Sequence, residues 1–500
     1  MPGSWKTQRW GMNQAVFGLG ACFFLFYFAI LLLKYYALAY FDWDLAFFSQ
    51  AAWNLLRGEQ YTSLVGINYF GDHGYFITFL VLPFFFIFPS PITLLVLKPL
   101  ALVIAAGLLY RLVAERLGER WGAAFFVLYL VFPANVFGLL YEFNPDALAP
   151  PIIFWIFTAI RRTRLAHFLI ATTALMLVKE NLCLMAFVFS LLAVFRFGKS
   201  ERMALVLYSV FCLLFFYYIA VMLVPALRGL DHHSFTVRYP GLGSSTLEVI
   251  LSPILNPAAV ARILFTSQNM EFLAQLFGYT LLPALLSPLA ILPAVPLLLQ
   301  HMVSSYLPEK TIYYHYGLAL APFLFMAMAA TLQWVLSFSS SLRRFSGWVM
   351  AALLILGVVS ILRYGSSLDR ALDVDSIEGM SNRWDLIRAI PPGEGVVATF
   401  DFLAPLSTRK ELYSFHKIYD DRFQDPDHMR RSELYIGTTF RLPDTVNYAL
   451  LDMDDRWLNS ALETQDQAGK RIEAFLAQPS WKLLRKEGNV LLLKRSLGLD

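Results

Sequence analysis

The residues able to do chemistry in this chain are few, and they gather at the edges of apolar runs. Asp42 and Asp44 stand in FDWDLAFFSQ, Asp72 and His73 in GDHGYF, and Glu142, Asn144 and Asp146 in YEFNPDALAP. Lys179, Glu180 and Asn181 stand in LVKENL, and Asp231, His232, His233 and Arg238 in DHHSFTVRYPG. His301, Glu309, Lys310 and His315 follow in HMVSSYLPEKTIYYHYG. A carboxylate at the rim of an apolar segment loses solvation, which raises its pKa towards the range where it serves as a general base. Lys179 and Glu180 interrupt an apolar stretch, where charge is costly unless it faces a polar cavity or a partner. Function is favoured there over a structural ion pair of Lys179 with Glu142, Asp146 or Glu180.

Each of these groups also has a plainer reading. Asp44 opens a stretch in which Leu45, Phe48, Ala52, Leu55 and Leu56 recur at helical spacing, so it reads equally as the N-cap of a helix lying on the membrane interface. Asp42 reads as its solvated neighbour. His73 at a helix start fits a hydrogen-bonded structural histidine. Lys98, early in a long apolar run, reads as a lysine snorkelling to the surface. The pair His232/His233 lacks a second pair at metal-site spacing, which argues against zinc. A divalent cation of the magnesium or calcium class held by carboxylates stays as an alternative, and no other cofactor is indicated.

Those residues must be positioned by elements that lie in a bilayer. Of the 500 residues, 58% are hydrophobic, 16% aromatic and 15% charged, and the mean hydropathy is +0.56, which places the chain with polytopic α-helical membrane proteins. A net charge of +4 spread over short clusters argues against nucleic acid as a partner. Cys22, Cys183 and Cys212 all fall in apolar runs and read as buried small hydrophobes. Runs of about 20 apolar residues are visible at 15–33, 92–110, 204–224, 318–338 and 348–362. Shorter ones lie at 122–138, 150–160, 168–178 and 182–195, and Pro283, Pro288, Pro293 and Pro296 break the run 276–303. Such pieces are tolerable in a membrane only when packed inside a bundle.

Basic clusters at Lys6/Arg9, Arg111/Arg116/Arg120, Arg161/Arg162/Arg164, Arg196/Lys199/Arg202 and Arg343/Arg344 set the orientation. With all of them cytoplasmic, the chain makes about eleven crossings, starts inside and ends outside. The segment 34–91 then becomes a long first external loop, and every acidic motif named above is external. The run 15–33 reads as a retained first span rather than a cleaved signal. After residue 364 the composition turns charged and mixed. RWDLIRAI reads as helix, VVATF, ELYSF, VNYALLD and VLLLKRS as strands, and TQDQAGKRIEAFLA as an amphipathic helix. The expected organisation is therefore a transmembrane domain, 1–364, followed by an extracytoplasmic α/β domain, 365–500.

The runs WDLAFFSQAAWNLLRG, GDHGYFITFLVLPFFFIFPSPITLLVL, LYRLVAERLG, YEFNPDALAPP, LVKENL and YYHYGLALAPFLF together resemble the bacterial membrane proteins grouped as domain of unknown function 2079. In layout these are similar to GT-C-type glycosyltransferases, which use a polyprenyl-phosphate sugar donor and an acidic residue in a long first external loop. The resemblance implies that Asp44, within Asp-Leu-x-x-Phe-x-Gln, is the loop carboxylate and His73 the histidine opening the second loop helix. It matches Glu142 and Asp146 to an acidic second external loop, and Lys179 with Glu180 to a Lys-Glu pair. Asn144 departs from the pattern, standing where a histidine is expected.

The implied function is inverting transfer of a sugar to an extracytoplasmic glycan, lipid or protein acceptor at the inner (plasma) membrane. Asp44 would act as base with Asp42, His73, Glu142 and Asp146 around it. Lys179, Glu180, Arg238, Lys310 and His315 would surround the donor phosphate. A lipid-linked-sugar flippase is the rival from another class, disfavoured because the long spans are almost free of charge and no repeat is visible. A non-catalytic scaffold or sensor is a further one, and it needs no clustered carboxylates.

Overall fold

The computed structural model describes residues 4–40, 43–338, 346–364, 380–416, 442–455 and 473–496. Asp42, the pair Arg343/Arg344, the join between the two expected domains (365–379) and most of the expected amphipathic helix at 464–477 lie outside the described residues.

Helices α1 (Ser4–Tyr36) and α4 (Pro91–Leu117) flank the loop helices α2 (Asp44–Leu55) and α3 (Thr78–Ile87). Ser90 accepts a hydrogen bond from the Ile92 N–H, and Pro91 fills the first position of α4, where a missing N–H costs nothing. Gly118, at φ +93°, ends α4 and lets α5 (Glu119–Leu130) double back along it. α5 meets α6 (Pro133–Leu140) at 44°. Then come the short apolar helices α7 (Ala149–Arg161), α8 (Leu165–Val178) and α9 (Leu182–Ala193). α10 (Lys199–Tyr217) continues through a π-helical turn into α11 (Val224–Arg228).

Two helices with no counterpart in the sequence reading, α12 (Thr246–Leu255) and α13 (Pro257–Leu264), follow at 93° to each other. α14 (Ser267–Phe277) comes next, and the proline-broken run becomes α15 (Leu281–Leu286), α16 (Pro288–Ile291) and α17 (Val295–Val303). α18 (Ala321–Phe338) and a last apolar helix, Ser346–Arg363, complete the bundle.

Among the described residues four helices are long and apolar enough to cross a membrane, or up to six if each bent pair is one span. That is fewer than the eleven crossings expected, because hydropathy counts each apolar run alike, while α8 and α9, for example, have only 14 and 12 residues. A crossing takes about 20. The chain is a multi-pass membrane protein. Cys22 corrects one expectation, being exposed on α1, whereas Cys183 and Cys212 are buried.

The C-terminal part forms a mixed five-stranded sheet, order β4-β3-β5-β7-β6. Its strands are β3 (Gly395–Ala398), β4 (Leu412–Ser414), β5 (Val446–Asp452), β6 (Trp481–Glu487) and β7 (Val490–Arg495), after a helix at Met380–Arg388. All but β6 coincide with sequence expectations. β6 is an edge strand whose side chains are mostly exposed, so it lacks the alternation that betrays a half-buried strand.

This sheet docks on the first long loop, whose hairpin pairs β1 (Tyr61–Thr62) with β2 (Ile67–Asn68). Gln50 Nε2 donates to the Arg409 and Lys410 carbonyls at 3.2 and 3.1 Å, and Ser63 Oγ accepts from the Leu412 N–H at 2.9 Å. Trp384 Nε1 donates to the Tyr36 carbonyl at 2.9 Å. The contact corrects the picture of α2 as an interfacial helix. Its residues from Leu45 to Ala52 are all buried, because the sheet covers the polar face that an interfacial helix would give to water.

Candidate functional site

The polar motifs of the sequence meet in one network. Its spine is the non-helical segment after α6. Lys34 Nζ, from the end of α1, donates to the Leu140 carbonyl at 2.7 Å, and Lys98 Nζ, from α4, donates to the Tyr141 and Glu142 carbonyls at 2.5 and 2.8 Å. Lys98 is therefore a buried tether, 1% exposed, and not a snorkelling lysine. Backbone carbonyls of this non-helical segment supply what water would otherwise provide.

So held, Glu142 reaches the start of α2 and accepts from the Leu45 N–H at 2.8 Å. A carboxylate at a helix N-terminus is favoured by the helix dipole. Glu142 thus supplies the capping contact expected of Asp44. Asp44 is instead the first residue of α2, after Trp43, which makes no side-chain capping bond. Its Oδ2 accepts from the Tyr141 hydroxyl at 3.3 Å. Tyr141 in turn packs against His315, ring centroids 5.7 Å apart. His315 Nε2 stands 3.4 Å from Asp146 Oδ2, and Lys179 Nζ stands 3.9 Å from the same oxygen. Asn144 accepts from the Asp146 N–H and starts the turn that presents it.

The break between α8 and α9 aims Lys179 and Glu180 inward. Glu180 Oε1 lies 2.5 Å from His73 Nδ1 and 3.5 Å from His233 Nε2, and Oε2 accepts from the Gly74 N–H at 3.0 Å. A Cβ at Gly74 would stand 2.7 Å from Ile219, which explains the glycine beside His73. Burial pushes the His73 imidazole below its usual range, against the pull of Glu180. Burial pushes the Glu180 carboxyl up, but His73 and His233 more than offset this and hold it well below the usual carboxylate range. His73, Glu180 and His233 each offer a ligand atom within 4.8 Å of the others, so three segments distant in sequence bring together a group the spacing of His232/His233 did not reveal. His73 lies in the turn ahead of α3 rather than on that helix.

Arg238 and Glu309 form a second buried pair, at 2.7 Å, with His301 Nδ1 at 3.2 Å from the other Glu309 oxygen. Rings of Phe235 and Tyr306 sandwich the guanidinium at 4.2 and 4.1 Å. His73, Asp146, Lys179, Asn181, Arg238, Gln300, His301, Glu309 and Tyr316 line one small polar chamber. Lys310 and His315 are buried outside its walls.

A larger apolar groove of about 1610 Å³ runs from this chamber between α9, α10, α12 and α17. His73, Asn181, Phe235, Tyr239 and Gln300 belong to both. Sequence reasoning missed Tyr141, Gln300 and Tyr239. Nothing at short range marks them, since their partners are distant along the chain.

The sequence from 34 to 492 matches the family described as Predicted membrane protein (DUF2079). No curated protein matches the chain. The structure is similar to ArnT from Cupriavidus metallidurans bound to undecaprenyl phosphate, with TM-score 0.51, 14% identity, and 95% of this chain and 98% of that one covered. The apo state of the same ArnT gives TM-score 0.45 at 13% identity, covering 94% and 97%. The Archaeoglobus fulgidus oligosaccharyltransferase in complex with zinc and sulfate gives 0.41 at 12%, covering 95% and 73%. At this identity the first of these likenesses shows a shared fold, that of the GT-C glycosyltransferases. The chain belongs to the DUF2079 family.

Proposed function

We propose that this member of the DUF2079 family is a GT-C-type glycosyltransferase. It moves a sugar from a polyprenyl-phosphate donor to a hydroxyl of a cell-envelope acceptor on the outer face of the plasma membrane, with Asp44 as general base. One observation carries the reading: an apolar groove of lipid-tail character runs into a chamber lined by carboxylates, Lys179 and Arg238, and shares a wall with it. A pocket for a small polar solute has no use for such a groove, whereas a lipid phosphate needs both compartments. The ArnT structure with undecaprenyl phosphate supports a donor lipid of that class.

In this reading the acceptor oxygen attacks the anomeric carbon, the bond from that carbon to the phosphate oxygen breaks, and the lipid phosphate leaves with the electron pair. The acceptor proton passes to Asp44. A single displacement inverts the sugar. Lys179 and Arg238 stabilise the departing phosphate, which gains negative charge in a site shielded from water. Tyr141 orients the Asp44 carboxylate through its hydroxyl, and Asp146 holds Lys179 in place. Glu180, grouped with the phosphate binders by sequence, takes the different part of fixing two histidines. The N-terminus is cytoplasmic and the sheet domain, 365–500, is extracytoplasmic, where it meets the acceptor.

The test is sugar transfer from a polyprenyl-phosphate donor by wild type and Asp44→Asn at matched expression. The amide keeps size and polarity, while the proton acceptor is lost, so the rate should fall by about 10²–10⁴-fold, equivalent to about 3 to 5 kcal/mol of barrier. Wild-type rates in the variant would remove Asp44 as the base and turn attention to Asp146.

A further inference from the structure

We propose that His73, Glu180 and His233 form a binding site for a divalent transition metal of the zinc class, with its open coordination position facing the neck between the apolar groove and the polar chamber. Three ligands come from three external connections: the turn before α3, the break between α8 and α9, and the segment after α11. Their ligand atoms all lie within 4.8 Å of one another, with His73 Nδ1 and His233 Nε2 at 2.5 and 3.5 Å from Glu180 Oε1. Around a tetrahedral zinc, with bonds near 2.0–2.1 Å, ligand atoms stand about 3.3 Å apart. Small side-chain rotations bring the three to that spacing.

The donor set selects the ion. Two imidazoles and one carboxylate suit zinc and its neighbours in the transition series, whereas magnesium and calcium take oxygen shells. Two His and one Glu with a position left open is also a ligand count found at catalytic rather than closed structural zinc sites. The supporting contacts are those a metal site needs. The Gly74 N–H fixes Glu180 Oε2 and leaves Oε1 aimed at the histidines. Phe235 stacks on His73 at 4.6 Å with the planes 12° apart, locking the ring. His233 is 6% exposed, and its Nε2, 3.5 Å from Glu180 Oε1, makes no hydrogen bond among the described residues, so it points into the cluster unsatisfied. His233 Nδ1 accepts from the Phe235 N–H at 3.3 Å. Loading a metal on Nε2 therefore moves the imidazole proton to Nδ1 and gives up that long contact.

Glu180 and His233 line the groove, and His73 lines both groove and chamber. The fourth position is thus at the point where a lipid headgroup passes, and an anionic phosphate oxygen completes the shell. This last step rests on the donor reading above; the metal site does not.

The experiment uses the full-length protein in detergent, stripped with a chelator, incubated with zinc, desalted and assayed for metal. We expect about one equivalent per chain in wild type and less than about a tenth in Glu180→Gln and in the double variant His73→Ala/His233→Ala, with Glu271→Gln, at an exposed position of α14, retaining its zinc. Cobalt in the wild type should give the visible bands of a four-coordinate nitrogen and oxygen site, a readout that needs no variant to fold. Folded wild type that retains less than about a tenth of an equivalent, or a double variant that keeps its zinc, overturns the site. Adding a polyprenyl phosphate to the cobalt protein should shift the bands. Unchanged bands overturn the headgroup contact, while the donor reading is judged separately by the transfer assay.

Discussion

Glu309 is a buried charge, and its ionisation is decided by what touches it. It is 2% exposed, accepts from Arg238 and His301, and is held at a pKa of about 2: burial raises it, and His301 with Arg238 more than compensates. A carboxyl whose folded pKa lies below its unfolded value adds stability above the unfolded pKa, near 4.3, and loses that contribution as pH falls through the folded value. Glu309→Gln leaves Arg238 charged and buried, so it should destabilise by about 3 to 5 kcal/mol at pH 7. The difference in melting temperature between wild type and variant in detergent should narrow as pH drops from about 5 towards 2. A difference that stays constant across that range would mean the pair is not ionised as described. Lys98 is likewise held by what touches it, donating to two backbone carbonyls inside the bundle.

Among the elements, the antiparallel pair α4 and α5 sets the frame on which the site hangs, because α4 carries Lys98 and α5 leads through α6 to Tyr141 and Glu142. Their close approach depends on Gly122, where a Cβ would meet the Tyr110 carbonyl oxygen and Cδ2 at 2.8 Å and the Ala114 Cβ at 2.9 Å. A carbonyl in a helix cannot swing aside as a flexible side chain can. Gly122→Val should therefore cost about 1 to 3 kcal/mol by overpacking, read as a lower melting temperature. Gly107→Ala, on α4 with open space around the position, should be neutral or slightly stabilising, since alanine is the better helix former. Equal melting temperatures for wild type and Gly122→Val would show that the helices are free to separate. α2 is positioned differently, by Glu142 capping one end and the C-terminal sheet packing on its flank, so two remote parts of the chain place Asp44.

At the scale of the whole molecule, the bundle and the C-terminal sheet share one surface through Gln50 and Ser63. Replacing both by alanine removes the side-chain partners of the Arg409 and Lys410 carbonyls and of the Leu412 N–H. With each hydrogen bond worth about 1 kcal/mol net, the Leu412 amide should exchange with solvent about tenfold faster or more. Unchanged protection would show that the sheet is held without these contacts.

The sequence by itself determined the membrane class, the presence of the longer apolar helices, four of the five sheet strands and the segments that carry the polar groups. Each of these follows from composition and from local periods of 3.6 or 2, which need no knowledge of neighbours. It also singled out Asp44, His73, Asp146, Lys179, Glu180 and Arg238, because charge beside apolar sequence is costly wherever the chain goes. Tertiary structure alone decided which of these meet. Glu142 rather than a residue of α2 caps that helix, Lys98 turns inward, and His233 joins His73 and Glu180, which are themselves 107 residues apart. The polar chamber opens onto a groove partly walled by α12, a helix the hydropathy pattern did not reveal. Contacts of this kind are set by how the short helices pack, and packing depends on the shapes of all the side chains together, not on the spacing within any one segment.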